Sequence, residues 1–246
     1  MLFRSSFSPA ARARRASLGA HAIDASVVPA FRRMKDFLVR EYLPACLPDV
    51  GAWQLPRGAE IYAYEARFHT TTTLTPEQIH ATGLAEVARI RAEMQAVMKE
   101  AGFTGTLAEF FTFLRTDRRF FYDSAEALLE GYRALAKTID PRLVLLFGTL
   151  PRTPYGVEPI EATAAPDTTT AYYGRPAEDG SRAGTYYVNL YEPSSRPRWE
   201  MMALSLHESV PGHHLQIALA MESGKMPEFR KNAGWSAFVE GWALYA

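Results

Sequence analysis

The sequence predicts a mostly α-helical protein with a small β element, and three observations carry that prediction. Capped, amphipathic segments fill the first two-thirds of the chain. Between 148 and 183, Pro, Gly and Thr become frequent, and one β-branched and aromatic run, Gly184 to Tyr191, follows. After Ser194-Ser195, helical spacing resumes and carries a cluster of histidines. The expected organisation is an irregular basic lead-in over 1–24 and a single α-rich domain over 25–246. That domain is helical over 25–147, loop and strand over 148–193, and helical again over 196–246.

The lead-in, MLFRSSFSPAARARRASLGA, is basic and poor in acids but lacks an apolar run of seven, so no secretory signal is visible. The compartment then defaults to the cytoplasm, although a lost leader would make the protein exported. The next segment, VVPAFRRMKDFLVREYL, has helical apolar spacing, with Pro29 suited to a first turn. The clearest helix follows. Thr75 can cap it, Pro76 takes the first helical position and Gln78 completes a capping box. Leu84, Val87, Ile90, Met94 and Val97 form one stripe, expected to be core, and Gly102 ends it. Two shorter helices are announced by Thr106 with Glu109 and by Asp123 with Glu126; the second stops before Asp140-Pro141.

Bulk composition excludes several classes of function. Lys+Arg and Asp+Glu balance at 27 each, so no charge excess points to nucleic acid or an anionic membrane surface. Cys46 is the one cysteine, which excludes an internal disulfide and any cysteine-rich metal site. No stretch approaches about 18 apolar residues, so no membrane span is expected. Composition leaves the oligomeric state open.

The stretch HESVPGHHLQ puts His207, His213 and His214 close together. It opens like H-E-x-x-H, but Pro211 stands where the second histidine would be. On a straight helix His214 would return to nearly the face of His207, yet about 10 Å along the axis. That is too far for two nitrogens each about 2 Å from one ion. His213 would face elsewhere. Pro211 and Gly212 alter this, because proline breaks the ladder and glycine tolerates backbone angles other residues avoid. A break there can absorb the extra residues and bring a later histidine back to His207. A third ligand is offered by Glu240, whose apolar neighbours Phe238, Trp242 and Leu244 suggest a buried helix where a carboxylate is costly unless paired or bound to metal.

Taken together, His207-Glu208, Pro211-Gly212-His213 and Glu240-Gly241-Trp242 resemble the bacterial family known as domain of unknown function 885, which is similar to the gluzincin metallopeptidases. HTTTTLTPEQIHATGLAEVARIRAEM and DGSRAGTYYVNLY also read like family blocks, in the family's order. The resemblance implies His207, His213 and Glu240 as metal ligands, one Zn2+ per chain, and Glu208 as the catalytic glutamate. His214 becomes a second-sphere or substrate-facing residue. Family members are generally much longer, so the chain reads as a fragment of that fold.

The implied reaction is zinc-dependent hydrolysis of peptide bonds, in short peptides above all, by metal-activated water with Glu208 as general base. Peptide substrate is expected along the strand GTYYVNLY, with Tyr186, Tyr187 and Asn189 as candidate wall residues. Arg182 or Arg198 pairing with a substrate carboxylate would make the action carboxypeptidase-like; a surface ion pair is the plainer role for either. Tyr245 lies within reach by sequence, though aromatic packing is its plainer role, and His21, His69 and His80 have no partner pattern. Two other readings stand beside the peptidase: a catalytically inactive metal-binding fragment, and a helical interaction module whose histidines form a pH-sensitive or structural polar site.

Overall fold

The computed structural model describes residues 7–48, 50–224, 227, 229–230 and 234–246. They are mostly helical, with one three-stranded sheet. The chain divides into two compact units, Met1–Ile61 and Tyr62–Ala246. Among the described residues no helix is long and apolar enough to cross a membrane.

In the first unit, α1 (Pro9–Ala22) corrects the expectation of an irregular lead-in. Its alanines and arginines are strong helix formers, and Ser8 caps it by accepting from Ala11 N at 3.3 Å, with Pro9 in the first turn. Basic composition had masked that signal; residues 1–6 lie outside the described residues. A π-helical turn (Ile23–Val27) leads into α2 (Val28–Phe37), and a second (Leu38–Tyr42) into the single turn Leu43–Ala45.

Helix α3 (Gly58–Thr70) spans the division, and the second unit continues with α4 (Pro76–Glu100), α5 (Leu107–Thr116) and α6 (Ala125–Ile139). The Thr75/Gln78 and Thr106/Glu109 capping boxes both form. Helix α6 is capped one residue later than expected, by Ser124, while Asp123 pairs with Arg118 at 3.2 Å. The α4 stripe differs more. Leu84, Val87, Ile90, Met94 and Val97 are 40–60% exposed rather than core. Periodicity shows that one face of a helix is apolar, not that a neighbour covers it.

The sheet holds β1 (Tyr155–Pro159), β2 (Ala171–Gly174) and β3 (Gly184–Val188) in the order β1-β3-β2. β3 runs parallel to β1, with Tyr155 opposite Gly184, and antiparallel to β2, with Tyr173 opposite Tyr186. Alternation along β3 turns Tyr186 and Val188 inward, where they pack with Val157 and Ala171, with Leu128, Tyr132 and Ala136 of α6, and with Met201. Tyr132 meets Tyr186 edge to face at 5.7 Å. A second cluster of Ile139, Leu143, Val210 and Leu215 seats three further helices, α7 (Arg198–Glu208), α8 (His213–Glu222) and α9 (Ser236–Tyr245).

Candidate metal centre

The helix breaks where proline and glycine stand. α7 ends at Glu208 and α8 begins at His213. Between them the Val210-Pro211 peptide is cis, and Gly212 turns back so that its N–H donates to Leu206 O at 2.9 Å. His214 N then donates to Ser209 O at 2.9 Å, starting the new helix against the end of the old one. A side chain at Gly212 is impossible here, because a Cβ would lie 2.0 Å from His207 O and 2.4 Å from Leu206 O. Val210 anchors the turn by burying itself in the second core cluster.

This fold-back brings the imidazoles of His207 and His213 together, with ring centroids 4.7 Å apart. Glu240 of α9 reaches the same point: its Oε2 lies 3.5 Å from His207 Nε2 and 3.7 Å from His213 Nε2. Donor atoms of the three residues all fall within 4.8 Å of one another. α9 is positioned by Trp242, whose Nε1–H donates to Pro211 O at 2.8 Å, and by Gln216, which donates to Phe238 O at 2.9 Å. The buried helix expected around Glu240 is instead open to solvent: Phe238, Leu244 and Tyr245 are exposed, and so is the carboxylate. Apolar neighbours in sequence do not establish burial.

The donor set fits a zinc ion. Tetrahedral bonds of about 2.0–2.2 Å place neighbouring ligand atoms about 3.3–3.5 Å apart, close to the 3.5 and 3.7 Å between Glu240 and the two histidines. Burial lowers the pKa of His213, opposed by the Glu240 charge and helped by His207, which favours the neutral form that ligation requires. His213 Nδ1 is also buried with no hydrogen-bond partner among the described residues, so that polar ring has nothing but its Nε2 side to satisfy it.

Glu208 lies beside the cluster, nearly buried. Desolvation, and then repulsion from Glu240, push its carboxyl up to about 7, against a lowering hydrogen bond from the Tyr173 N–H. It lines a cleft of about 770 Å³ with Thr170, Glu200, His207, Leu244 and Tyr245.

The remaining sequence candidates divide. Tyr245 lines the cleft, next to Trp242. His214 does not face the triad: it is 1% exposed, its Nδ1 is 2.7 Å from Tyr173 Oη and its Nε2 is 3.0 Å from Thr153 O. Tyr186 is fully buried in the core, its hydroxyl near Ser205 at 3.4 Å, and burial raises its pKa. Tyr187 stacks on Tyr172 at 4.9 Å, on the other face of the sheet. Asn189 is buried and donates to Ala165 O, Thr168 O and Thr169 O, shaping a loop rather than a wall. Arg198 sits over the Tyr122 ring at 4.0 Å, and Arg182 lines a different cavity with Arg152 and Glu222. β3 is therefore the central strand, and none of its three candidates lines the cleft. Tyr173 and the tether by Trp242 gave no spacing signal, because both contacts exist only after the sheet and α9 have docked.

A family model described as "Bacterial protein of unknown function (DUF885)" matches residues 3–246. No curated protein matches the chain. Among solved structures, the crystal structure of a candidate lipoprotein from Colwellia psychrerythraea is similar at a TM-score of 0.91 and 28% identity, over 98% of this chain and 42% of that one. A candidate lipoprotein of unknown function from Shewanella oneidensis is similar in fold at a TM-score of 0.60 and 19% identity, over 98% of this chain and 45% of that one. The chain thus spans less than half the length of either structure.

Proposed function

For a chain that belongs to the bacterial family of unknown function DUF885, we propose a zinc-dependent peptidase site of the gluzincin-like kind, hydrolysing peptide bonds with one zinc per chain. The observation that carries this reading is one constellation: the donor atoms of His207, His213 and Glu240 converge beside the nearly buried carboxylate of Glu208, at the wall of a cleft. When bound there, a zinc ion supplies a Lewis acid that acidifies water and polarises a carbonyl.

His207 and His213 turn their Nε2 atoms towards Glu240, which brings a carboxylate to the same point. Glu208 is the proton carrier. A carboxylate beside a metal ligand can take a proton from water and pass it on, as a general base serving a hydrolysis must.

Substrate backbone has a place at β2 rather than at the β3 first expected. Asn189 N donates to Thr170 O at 3.0 Å, so alternate residues from Thr170 turn their N–H and C=O towards β3. Ala171 and Tyr173 therefore turn theirs to the open margin, and the Tyr173 N–H meeting Glu208 agrees with that alternation. An extended peptide adding to this margin at Ala171 would lie along the wall that carries Thr170 and Glu208. With Arg198 on Tyr122 and Arg182 in another cavity, no arginine of the pair first considered favours a C-terminal carboxylate here.

The test is hydrolysis of a panel of short unmodified peptides by the zinc-loaded chain, beside Glu208→Gln. We expect rates in the variant to fall by about 10²–10⁴-fold, as for loss of a general base, with zinc content unchanged. Zinc held without hydrolysis in either protein would instead favour the inactive metal-binding reading.

A further inference from the structure

We propose that Tyr173 and His214 are positioning residues, a clamp that sets strand β2 against both helices of the metal centre and so fixes the Glu208 carboxylate. The proposal deepens the peptidase reading and rests on it for its catalytic consequence, while its structural half stands alone.

The hydrogen bonding of His214 leaves one tautomer. Its Nε2 faces the Thr153 carbonyl at 3.0 Å, and a carbonyl can only accept, so Nε2 carries the hydrogen. Nδ1 then has a lone pair and accepts from the Tyr173 hydroxyl at 2.7 Å. Both ring nitrogens are used, in a side chain 1% exposed. The pair sits over Gly184 of β3, where a Cβ would lie 2.3 Å from Tyr173 Oη and 2.8 Å from His214 Nδ1. Glycine at that point makes room for the contact.

The same helix is fastened a second time. Glu222, two turns further along α8, accepts from Arg152 N at 2.9 Å, Thr153 N at 2.8 Å and Thr153 Oγ1 at 2.9 Å. α8 is thereby held to the segment entering β1 from both ends. Tyr173 completes the bracing. Its hydroxyl is tied to α8 through His214, its ring faces that of His213 at 6.4 Å and 29°, and its backbone N–H lowers the carboxyl of Glu208 at the end of α7. One residue of β2 therefore reaches the helix that carries His213 and acts on the carboxylate that follows His207.

Tyr173→Phe removes one hydroxyl and keeps the ring; His214→Gln offers one donor and one acceptor in place of the imidazole. Two quantities are read: single-residue amide exchange at position 173 in the zinc-free chain by NMR, with the core amide of Tyr186 as internal reference, and kcat and KM of the zinc-loaded chain on a hydrolysed peptide. We expect Tyr173→Phe to bind zinc normally, to exchange at least about tenfold faster at 173 but not at Tyr186, and to lose about tenfold or more in kcat with KM within about twofold. His214→Gln should recover part of both relative to His214→Ala. Unchanged exchange at 173 in folded Tyr173→Phe would overturn the clamp, and so would faster exchange with kcat unchanged. If the wild-type chain hydrolyses nothing, the peptidase reading fails, yet the exchange measurement still decides whether the clamp exists.

Discussion

Gly212 stands where any side chain would meet two carbonyls of the preceding turn, and the metal centre depends on that tolerance. Gly212→Ala should cost at least about 2 kcal/mol in urea unfolding, and zinc binding should be lost even in the fraction that folds, because His213 can no longer return to His207. Glu222 offers a test by pH. Burial pushes its carboxyl up, but hydrogen bonds from the Thr153 and Arg152 backbone, and then from their side chains, outweigh this and hold it down to about 2, against an ordinary value of 4.5. A depressed folded pKa means stability present above the ordinary value and lost as pH falls towards the folded one. Glu222→Gln should therefore destabilise the chain at pH 7, and its deficit should close between pH 4.5 and 2; a deficit independent of pH would contradict the assignment. At this scale the sequence displayed the three ligands and Glu208, because those residue types and the Pro-Gly break are local. It did not display the Tyr173–His214 contact, whose members lie 41 residues apart and meet only across a finished sheet.

Helix α9 shows how an element brings a ligand from a distance. Its Glu240 is exposed, so burial does not hold it in place; the bond from Trp242 Nε1 to Pro211 O ties the helix to the turn that separates the two histidines. Trp242→Phe should keep the chain folded and weaken zinc about 10–100-fold, the range for lost support of a ligand, as read by chelator competition. Affinity unchanged within twofold would mean that α9 is positioned by its other contacts. Capping boxes on α4 and α5 were legible because each closes within four residues. The order of the sheet was not. GTYYVNLY reads as a strand by composition, but its central place depends on pairing with β1 and β2, which loop-like stretches supply. Of the expected wall residues, Tyr186 moved into the core and Asn189 into a loop anchor for that reason.

The described residues expose more apolar surface than their own packing covers. Besides the α4 stripe, Val144, Leu145, Leu146, Phe238, Leu244 and Tyr245 are exposed. Contiguous patches beyond a few hundred Å² drive association. The chain should therefore self-associate with rising concentration in sedimentation velocity, and Val87→Glu with Val97→Glu should reduce this without changing zinc content. Association identical in that double variant would place the sticky surface elsewhere. The mostly α class with a small sheet was legible from periodicity and composition. Which apolar faces are covered was not, since periodicity is a property of one element and burial a property of two.

The central claim is a three-ligand metal centre, and elemental analysis of the purified chain tests it most directly, beside His207→Ala and Glu240→Ala. About one zinc per wild-type chain is expected, with loss of that zinc in both variants. A folded wild-type chain without zinc, or zinc retained in both variants, would contradict it.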